Sequence, residues 1–223
     1  MTVSPFDHPL LSGLVGDEEA ARLFSLQADI EAMLRFERAL AEAEAECGVI
    51  AQDSGLAIVA ALGSFQPDTA MLRAGVARDG VVVPELVRQI RATVGTRHGE
   101  FVHFGATSQD VVDTSLVLRL RQAVDHLGLL LDENVVRLTR LEQAFGHRAL
   151  MAMTRMQPAI EVTVADRIAA WRLPLERHRL RLGEFSGRLL VVQFGGAAGT
   201  LEKLGGKAGT VRAALAARLG LGD

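Results

Sequence analysis

Several features that would assign a protein class directly are missing from this 223-residue sequence. No apolar segment approaches the roughly 18 uncharged residues of a membrane-spanning helix. Cysteine occurs once, at Cys47, which excludes a disulfide framework and fits a reducing compartment. The formal net charge of −3 provides no basic surface for nucleic acid. Because the amino-terminal segment MTVSPFDHPL also lacks the basic and apolar regions of a signal peptide, we expect a cytoplasmic protein.

The common metal, nucleotide and nucleophile motifs are absent as well. His147 and His178 fit a loop and a helix face, since no His, Asp or Glu cluster has the spacing of metal ligands. The segment GGAAGT does not match the dinucleotide fingerprint, and neither a P-loop nor a G-x-S-x-G motif occurs. The sequence therefore predicts neither a metal nor a cofactor.

Apolar residues, in contrast, are abundant. Hydrophobic residues make up 49% of the sequence, and the mean hydropathy is +0.22. This composition supports a sizeable core and leaves apolar surface that favours contact with partner chains. We therefore expect an oligomer.

The first part of the chain has the pattern of short helices. After an irregular arm, residues 1–16, Asp17 is placed to cap a helix. The next helix repeats apolar residues every three or four positions from Met33 to Cys47, with Glu37 and Glu44 on its other face. Helices opened by Pro67 and Pro84 follow. The pattern predicts a small helical domain over residues 1–95.

Two much longer helical patterns follow. Ser108 to Phe145 contains no proline and repeats apolar residues over about 36 positions, which corresponds to a helix of about 54 Å. A second pattern is opened by Pro158 and contains Pro174, which is expected to kink it. An amphipathic helix over 206–219 ends the chain. We predict an all-α fold in which residues 96–223 form part of a long-helix bundle domain.

A polar loop precedes the first long helix. Thr107 and Asp110 match a T-x-x-D capping box, and Ser108 and Gln109 lie in the first turn, where free N–H groups favour an anion. His103 belongs to the same loop. One interpretation is that these residues only cap the helix; the other is that they bind a carboxylate or phosphate.

Two further loops carry candidate residues. Thr154, Arg155 and Gln157 precede the second long helix, and the arginine suits either bidentate carboxylate binding or a surface ion pair. The third loop begins at Gln193 and contains four glycines up to Thr200, which fits either close approach to a ligand or a flexible connector.

Three separated polar loops beside long helices resemble the fumarase/aspartase superfamily, with the first loop as the most specific match. Four segments are similar to its 3-carboxy-cis,cis-muconate cycloisomerase branch: DIEAMLRFERALAEAEAECGVI, VHFGATSQDVVDT, TRMQPAIEVTVADRIAAW and VVQFGGAAGTLEKLG. The resemblance implies an all-helical subunit with a central bundle, and a homotetramer whose active sites use loops from more than one subunit. It also implies lactonization of a small tricarboxylate to 4-carboxymuconolactone in protocatechuate degradation, the β-ketoadipate pathway.

The resemblance also implies roles for individual residues. His103, Thr107, Ser108 and Gln109 correspond to substrate-carboxylate binding positions, to which we add Thr154, Gln157 and Gln193 as substrate-binding candidates. Arg155 stands where amine-eliminating relatives have the histidine of a T-H-x-Q motif. Because arginine does not act as a base near neutral pH, we expect Arg155 to be a catalytic electrostatic clamp.

Two departures from the superfamily pattern affect the expected function. The His-Asp pair of the amine lyases is absent near 81–84, which favours the cycloisomerase branch. The third signature, G-S-S-x-M-P-x-K-x-N, is absent too. We therefore expect a carboxy-terminally truncated chain that is inactive alone. A lyase releasing fumarate, similar to adenylosuccinate lyase, and a non-catalytic assembly fragment are the alternatives.

Overall fold

The computed structural model describes residues 4–223 and is predominantly α-helical, as predicted. The first three residues of the predicted irregular arm lie outside the described range, and a single helical turn interrupts the rest of it. No helix in the described range is long and apolar enough to cross a membrane. The helices of this range are α1 Ser12–Val15, α2 Glu18–Leu23, α3 Leu26–Glu46, α4 Gln52–Gly63, α5 Thr69–Asp79, α6 Val83–Val94, α7 Ser108–Phe145, α8 Val164–Leu189 and α9 Ala208–Leu219.

The backbone packs as two compact units. The first unit combines the described residues up to 120 with residues 190–223, and the second consists of residues 121–189. Helix α7 contributes residues to both units. The predicted division into a helical domain of residues 1–95 and a bundle domain of residues 96–223 stays a prediction.

Helix starts in the first unit follow the capping signals in the sequence. The Asp17 carboxylate accepts a hydrogen bond from the Ala20 N–H at 3.0 Å, which confirms the predicted cap. Proline occupies the first turn of α6, also as predicted. Asp68, rather than Pro67, marks the start of α5, because its side chain accepts hydrogen bonds from two first-turn N–H groups.

The core of the first unit is organised around α3, which packs against α4 and α9. Its buried apolar face includes Met33, Phe36 and Leu40, as the periodicity predicts. The prediction that Glu37 and Glu44 lie on the polar face is wrong, since both carboxyl groups are buried. Ala32, Ala39 and Ala41 are buried as well, so the buried face of α3 is wider than the apolar repeat predicts.

The second unit contains a β-hairpin where the sequence indicated a loop and a helix. β1 Ala149–Thr154 pairs antiparallel with β2 Gln157–Thr163. The prediction that Pro158 opens the helix is therefore wrong. β-branched residues dominate the end of β2 and favour a strand, and the helix begins only at a second T-x-x-D box: the Thr163 N–H donates to Asp166 Oδ2 at 2.8 Å. Helix α8 then continues through Pro174.

Candidate active site

The first polar loop ends in the predicted helix cap. The Thr107 N–H donates to Asp110 Oδ2 at 2.9 Å, and the Asp110 N–H donates back to the Thr107 carbonyl at 3.1 Å. Helix α7 begins between them, at Ser108. The structure thus shows the Asp110 half of the predicted capping box, in which the carboxylate accepts from the Thr107 N–H. It leaves the hydroxyl groups of Thr107 and Ser108 available for other contacts.

Asp110 also holds the third loop, a contact that the sequence did not predict. Its carboxylate is fully buried and accepts hydrogen bonds from the Gly195 N–H at 2.8 Å and the Gly196 N–H at 3.0 Å. One turn further along α7, the Thr114 hydroxyl exchanges hydrogen bonds of 3.0 Å with the backbone N–H and C=O of Gln193. The first and third loops are therefore adjacent.

Two glycines allow this close approach. A Cβ atom on Gly196 would lie 2.8 Å from the carbonyl oxygen of Gly105, and both glycines have φ of +69°. Such a conformation is unfavourable for residues with a side chain. Gly105 of the first loop and Gly196 of the third loop thus allow these two loops to approach each other closely.

Three of the predicted substrate-binding residues line one open cavity of about 410 Å³. His103, Thr107 and Ser108 line this cavity together with Arg88 and Arg91 of α6. The two arginines were not predicted from the sequence. Their spacing of three residues places them on one helix face, and this was the signal available in the sequence. The remaining lining residues are Val83, Pro84, Val87 and Ala106.

Both arginines are anchored while keeping donors towards solvent. Arg91 Nη2 donates to the Val102 carbonyl at 3.0 Å, and Arg88 pairs with the buried carboxylate of Glu85. Guanidinium groups carry five N–H donors each, so each retains donors beyond these contacts. Two cations, a histidine, two hydroxyls and a helix amino terminus are a donor set that suits an anion with several carboxylates.

The ring of His103 makes a hydrogen bond to the buried carboxyl group of Glu37. Its Nδ1 lies 2.6 Å from Glu37 Oε1, and the Glu37 side chain is 1% exposed. The histidine backbone has φ of +62°, an uncommon conformation for a residue other than glycine. Glu37 was also missed from the sequence, because the helical repeat places it on the polar side of α3 and only the tertiary packing buries it.

A second buried carboxyl group lies two turns further along α3. Glu44 is completely buried, and neither of its carboxyl oxygens has a hydrogen-bond partner within the described residues. Burial, and secondarily the neighbouring Glu37, raises the pKa of Glu44 to about 9. Glu44 is therefore neutral at physiological pH.

The other candidates of the first unit lie apart from this cavity lining. Gln109 is exposed, and its side-chain amide donates to Asp113 Oδ1 at 2.6 Å. The side chain of Gln193 is exposed as well, while its backbone is fixed by Thr114. Among residues 4–223, no group of His, Cys, Asp and Glu side chains is arranged to hold a metal ion.

The candidates of the second loop belong to the second unit. Thr154 and Gln157 are paired at the end of the hairpin, and Arg155 and Met156 form its two-residue turn with φ of +43° and +65°. Two successive positive φ values define a type I′ turn, which favours Asn-Gly and strains Arg-Met. All four residues are exposed.

Comparison with known proteins gives a consistent family assignment. A family model described as Lyase matches residues 17–222. The 3-carboxy-cis,cis-muconate cycloisomerase of Pseudomonas aeruginosa is 41% identical over 206 residues, covering 89% of this chain and 44% of the relative. The adenylosuccinate lyase of Archaeoglobus fulgidus is 31% identical over 213 residues, covering 92% and 44%.

A solved structure agrees with this result. The 3-carboxy-cis,cis-muconate lactonizing enzyme from Pseudomonas putida superposes with a TM-score of 0.91 at 37% identity, over 96% of this chain and 49% of that one. The chain thus spans about half the length of the curated relatives it matches. From the family match and the shared fold, the chain belongs to the lyase family of the fumarase/aspartase superfamily.

Proposed function

We propose that the complete protein is a 3-carboxy-cis,cis-muconate cycloisomerase, which forms 4-carboxymuconolactone by intramolecular addition of a carboxylate to an alkene. The observation that carries this proposal is the cavity where Arg88, Arg91 and His103 meet the polar start of α7. A tricarboxylate substrate needs several cationic or N–H donor groups in one place. The similarity to cycloisomerases at 36–41% identity supports the same assignment.

The reaction needs electrostatic stabilisation more than a strong base. One carboxylate oxygen forms a bond to an alkene carbon, and the displaced electron pair moves to the carbon next to another carboxylate, which then takes up a proton. The charge that spreads onto this carboxylate is stabilised by fixed cations and N–H donors. Arg88, Arg91 and the first-turn N–H groups at Ser108 provide such donors.

Arg155 is proposed as a further electrostatic clamp. It occupies an exposed and strained turn, and strain of this kind is often retained where a side chain has a functional position. We propose a homotetramer in which active sites combine loops of more than one subunit, so that the Arg155 turn completes a site together with Thr154 and Gln157. The chemistry requires no cofactor, and the proposed location is the cytoplasm.

The proposal concerns the complete subunit rather than these 223 residues. Relatives are about twice as long, and the superfamily's third signature loop is not part of this sequence. In the proposal, that loop supplies the serine and lysine for proton transfer and anion binding. A fumarate-releasing lyase is the second candidate, favoured by the similarity to adenylosuccinate lyase and disfavoured by Arg155 at the histidine position of the T-H-x-Q motif.

A two-substrate assay on the complete protein tests the function. We expect loss of the conjugated-diene absorbance of 3-carboxy-cis,cis-muconate, lactone as the product, and no fumarate. Adenylosuccinate is expected to remain intact in a parallel reaction. Fumarate release without lactone formation would assign the protein to the lyases instead, and light scattering on the same sample measures the tetramer.

A further inference from the structure

We propose that Glu37 is a positioning residue that fixes the ring of His103, so that its Nε2 atom is presented to the substrate cavity. The role in substrate binding rests on the proposed function, whereas the pairing of the two side chains does not. Glu37 lies on α3, 66 residues before its partner, and does not line the cavity itself. It acts through His103.

The contact between His103 and Glu37 has the geometry of a strong hydrogen bond. The distance between Nδ1 and Oε1 is 2.6 Å, short for a bond between nitrogen and oxygen and typical of a charge-assisted one. Glu37 is 1% exposed and the His103 side chain is 13% exposed, so water competes little for either group. A buried carboxylate without such a partner would be strongly unfavourable.

This hydrogen bond determines the tautomer of His103 and therefore whether its other ring nitrogen, Nε2, carries a proton. When Glu37 is ionised it only accepts, so Nδ1 carries the proton that the histidine donates. Nε2 makes no hydrogen bond within the described residues and belongs to a side chain that lines the cavity with Thr107 and Ser108. The tautomer of a histidine is set in this way by the partner of its opposite nitrogen.

The backbone conformation of His103 points to the same role. A positive φ of 62° in a residue other than glycine persists only where surrounding contacts hold it. The contact with Glu37 is the side-chain hydrogen bond that does so. Two residues later, Gly105 also has a positive φ, of +69°. In the proposal, the orientation of the histidine ring is set by Glu37 of α3 rather than by the loop backbone.

The test compares matched variants of the complete protein. Glu37→Gln keeps the size of the side chain and removes its charge, while Glu44→Gln makes the same change two turns away at a group that is already neutral. We expect Glu37→Gln to weaken binding of tricarballylate, an unreactive tricarboxylate, and to lower kcat/KM by about 10- to 100-fold. Glu44→Gln is expected to leave both values unchanged.

A double-mutant cycle with His103→Asn tests whether Glu37 acts through the histidine. Asparagine tolerates positive φ and lacks the Nε2 position. Glu37→Gln should change KM and kcat in the same proportions as His103→Asn does. The double variant should lose no more kcat/KM than His103→Asn alone. Glu37→Asp, which keeps the charge on a shorter side chain, is the second variant if Glu37→Gln does not fold, with an intermediate loss expected.

Particular outcomes overturn the inference. One is a folded Glu37 variant whose affinity for tricarballylate is unchanged. The other is a double variant whose loss in kcat/KM equals the product of the two single losses. Failure of the proposed function is seen separately, as a wild-type protein that does not lactonize 3-carboxy-cis,cis-muconate. In that case the tricarballylate measurements still decide whether Glu37 positions His103.

Discussion

Asp110 Oδ1 accepts a hydrogen bond of 2.8 Å from the backbone N–H of Gly195, a residue 85 positions later in the chain. The same carboxylate caps α7 through Thr107. One buried side chain therefore fixes both the helix start that lines the candidate site and the glycine-rich loop beside it. Its removal is expected to affect the two loops together.

Asp110→Asn is expected to lower the free energy of unfolding by about 2 kcal/mol, because the amide NH₂ group meets a backbone donor where an oxygen now accepts. Denaturant titration followed by circular dichroism measures the change. Asp113→Asn, one turn along the same helix and in contact with Gln109, serves as the control and should stay within about 0.5 kcal/mol of wild type. Equal effects of the two substitutions would contradict this role of Asp110.

Gly196→Ala is expected to destabilise the first unit by about 3 kcal/mol, the combined effect of a positive φ and overpacking. The added Cβ would lie 2.8 Å from the carbonyl oxygen of Gly105. Gly209→Ala is the matched control: it lies in α9, where a Cβ meets no atom within 4 Å. Helix propensity predicts unchanged or slightly higher stability there, and thermal unfolding of both variants distinguishes the two cases.

Glu44 is expected to make stability depend on pH. Its pKa is raised from 4.5 to about 9 in the folded protein. Between these values the folded state holds a proton that the unfolded state has released, so the free energy of unfolding falls as pH rises, by up to about 1.4 kcal/mol per pH unit. Below the lower value this contribution is constant.

Glu44→Gln should remove this part of the slope, so that its stability gain over wild type grows from pH 5 to pH 8. Chemical denaturation at several pH values measures the gain. Glu31→Gln, on the exposed part of the same helix, should leave the slope unchanged. A constant difference between Glu44→Gln and wild type across this range would show that Glu44 is not protonated in the folded protein.

Arg155→Ala in the complete protein is expected to lower lactonization by about 100- to 1000-fold, as is common when one charge-stabilising donor is lost. Circular dichroism should show an unchanged fold, because the side chain is exposed. Met156→Gly changes the adjacent turn position and relieves its positive φ, so it should preserve turnover and stabilise the hairpin by about 1 kcal/mol. Near-normal turnover of Arg155→Ala would refute its assignment as a clamp.

The all-α fold and the start of α7 were predictable from sequence because their causes are local. The T-x-x-D box at Thr107 and Asp110 satisfies first-turn N–H groups within four residues, and the apolar repeat of α7 continues to Phe145. The hairpin was missed because Pro158 was interpreted as a helix start. The second T-x-x-D box, at Thr163 and Asp166, was the better signal.

The candidate site was only partly predictable because its contacts join distant segments. The cavity brings His103 and Ser108 together with Arg88 and Arg91 of α6, and periodicity along one helix does not indicate which face meets another loop. Burial of Glu37 beside His103 depends likewise on a partner 66 residues away. Local patterns identify polar residues, whereas tertiary packing decides which of them share a site.

The discontinuous first unit has a consequence for synthesis on the ribosome. Arg35 of α3 donates to the carbonyl of Leu219, 184 residues later, and α9 covers part of the α3 face. At translation rates of about 5–20 residues per second, α3 waits roughly 10–40 s for this partner. During that interval the part of the α3 face that α9 covers stays exposed, and we expect chaperones to bind there. Chaperone depletion should then reduce the yield of this protein without altering the finished fold.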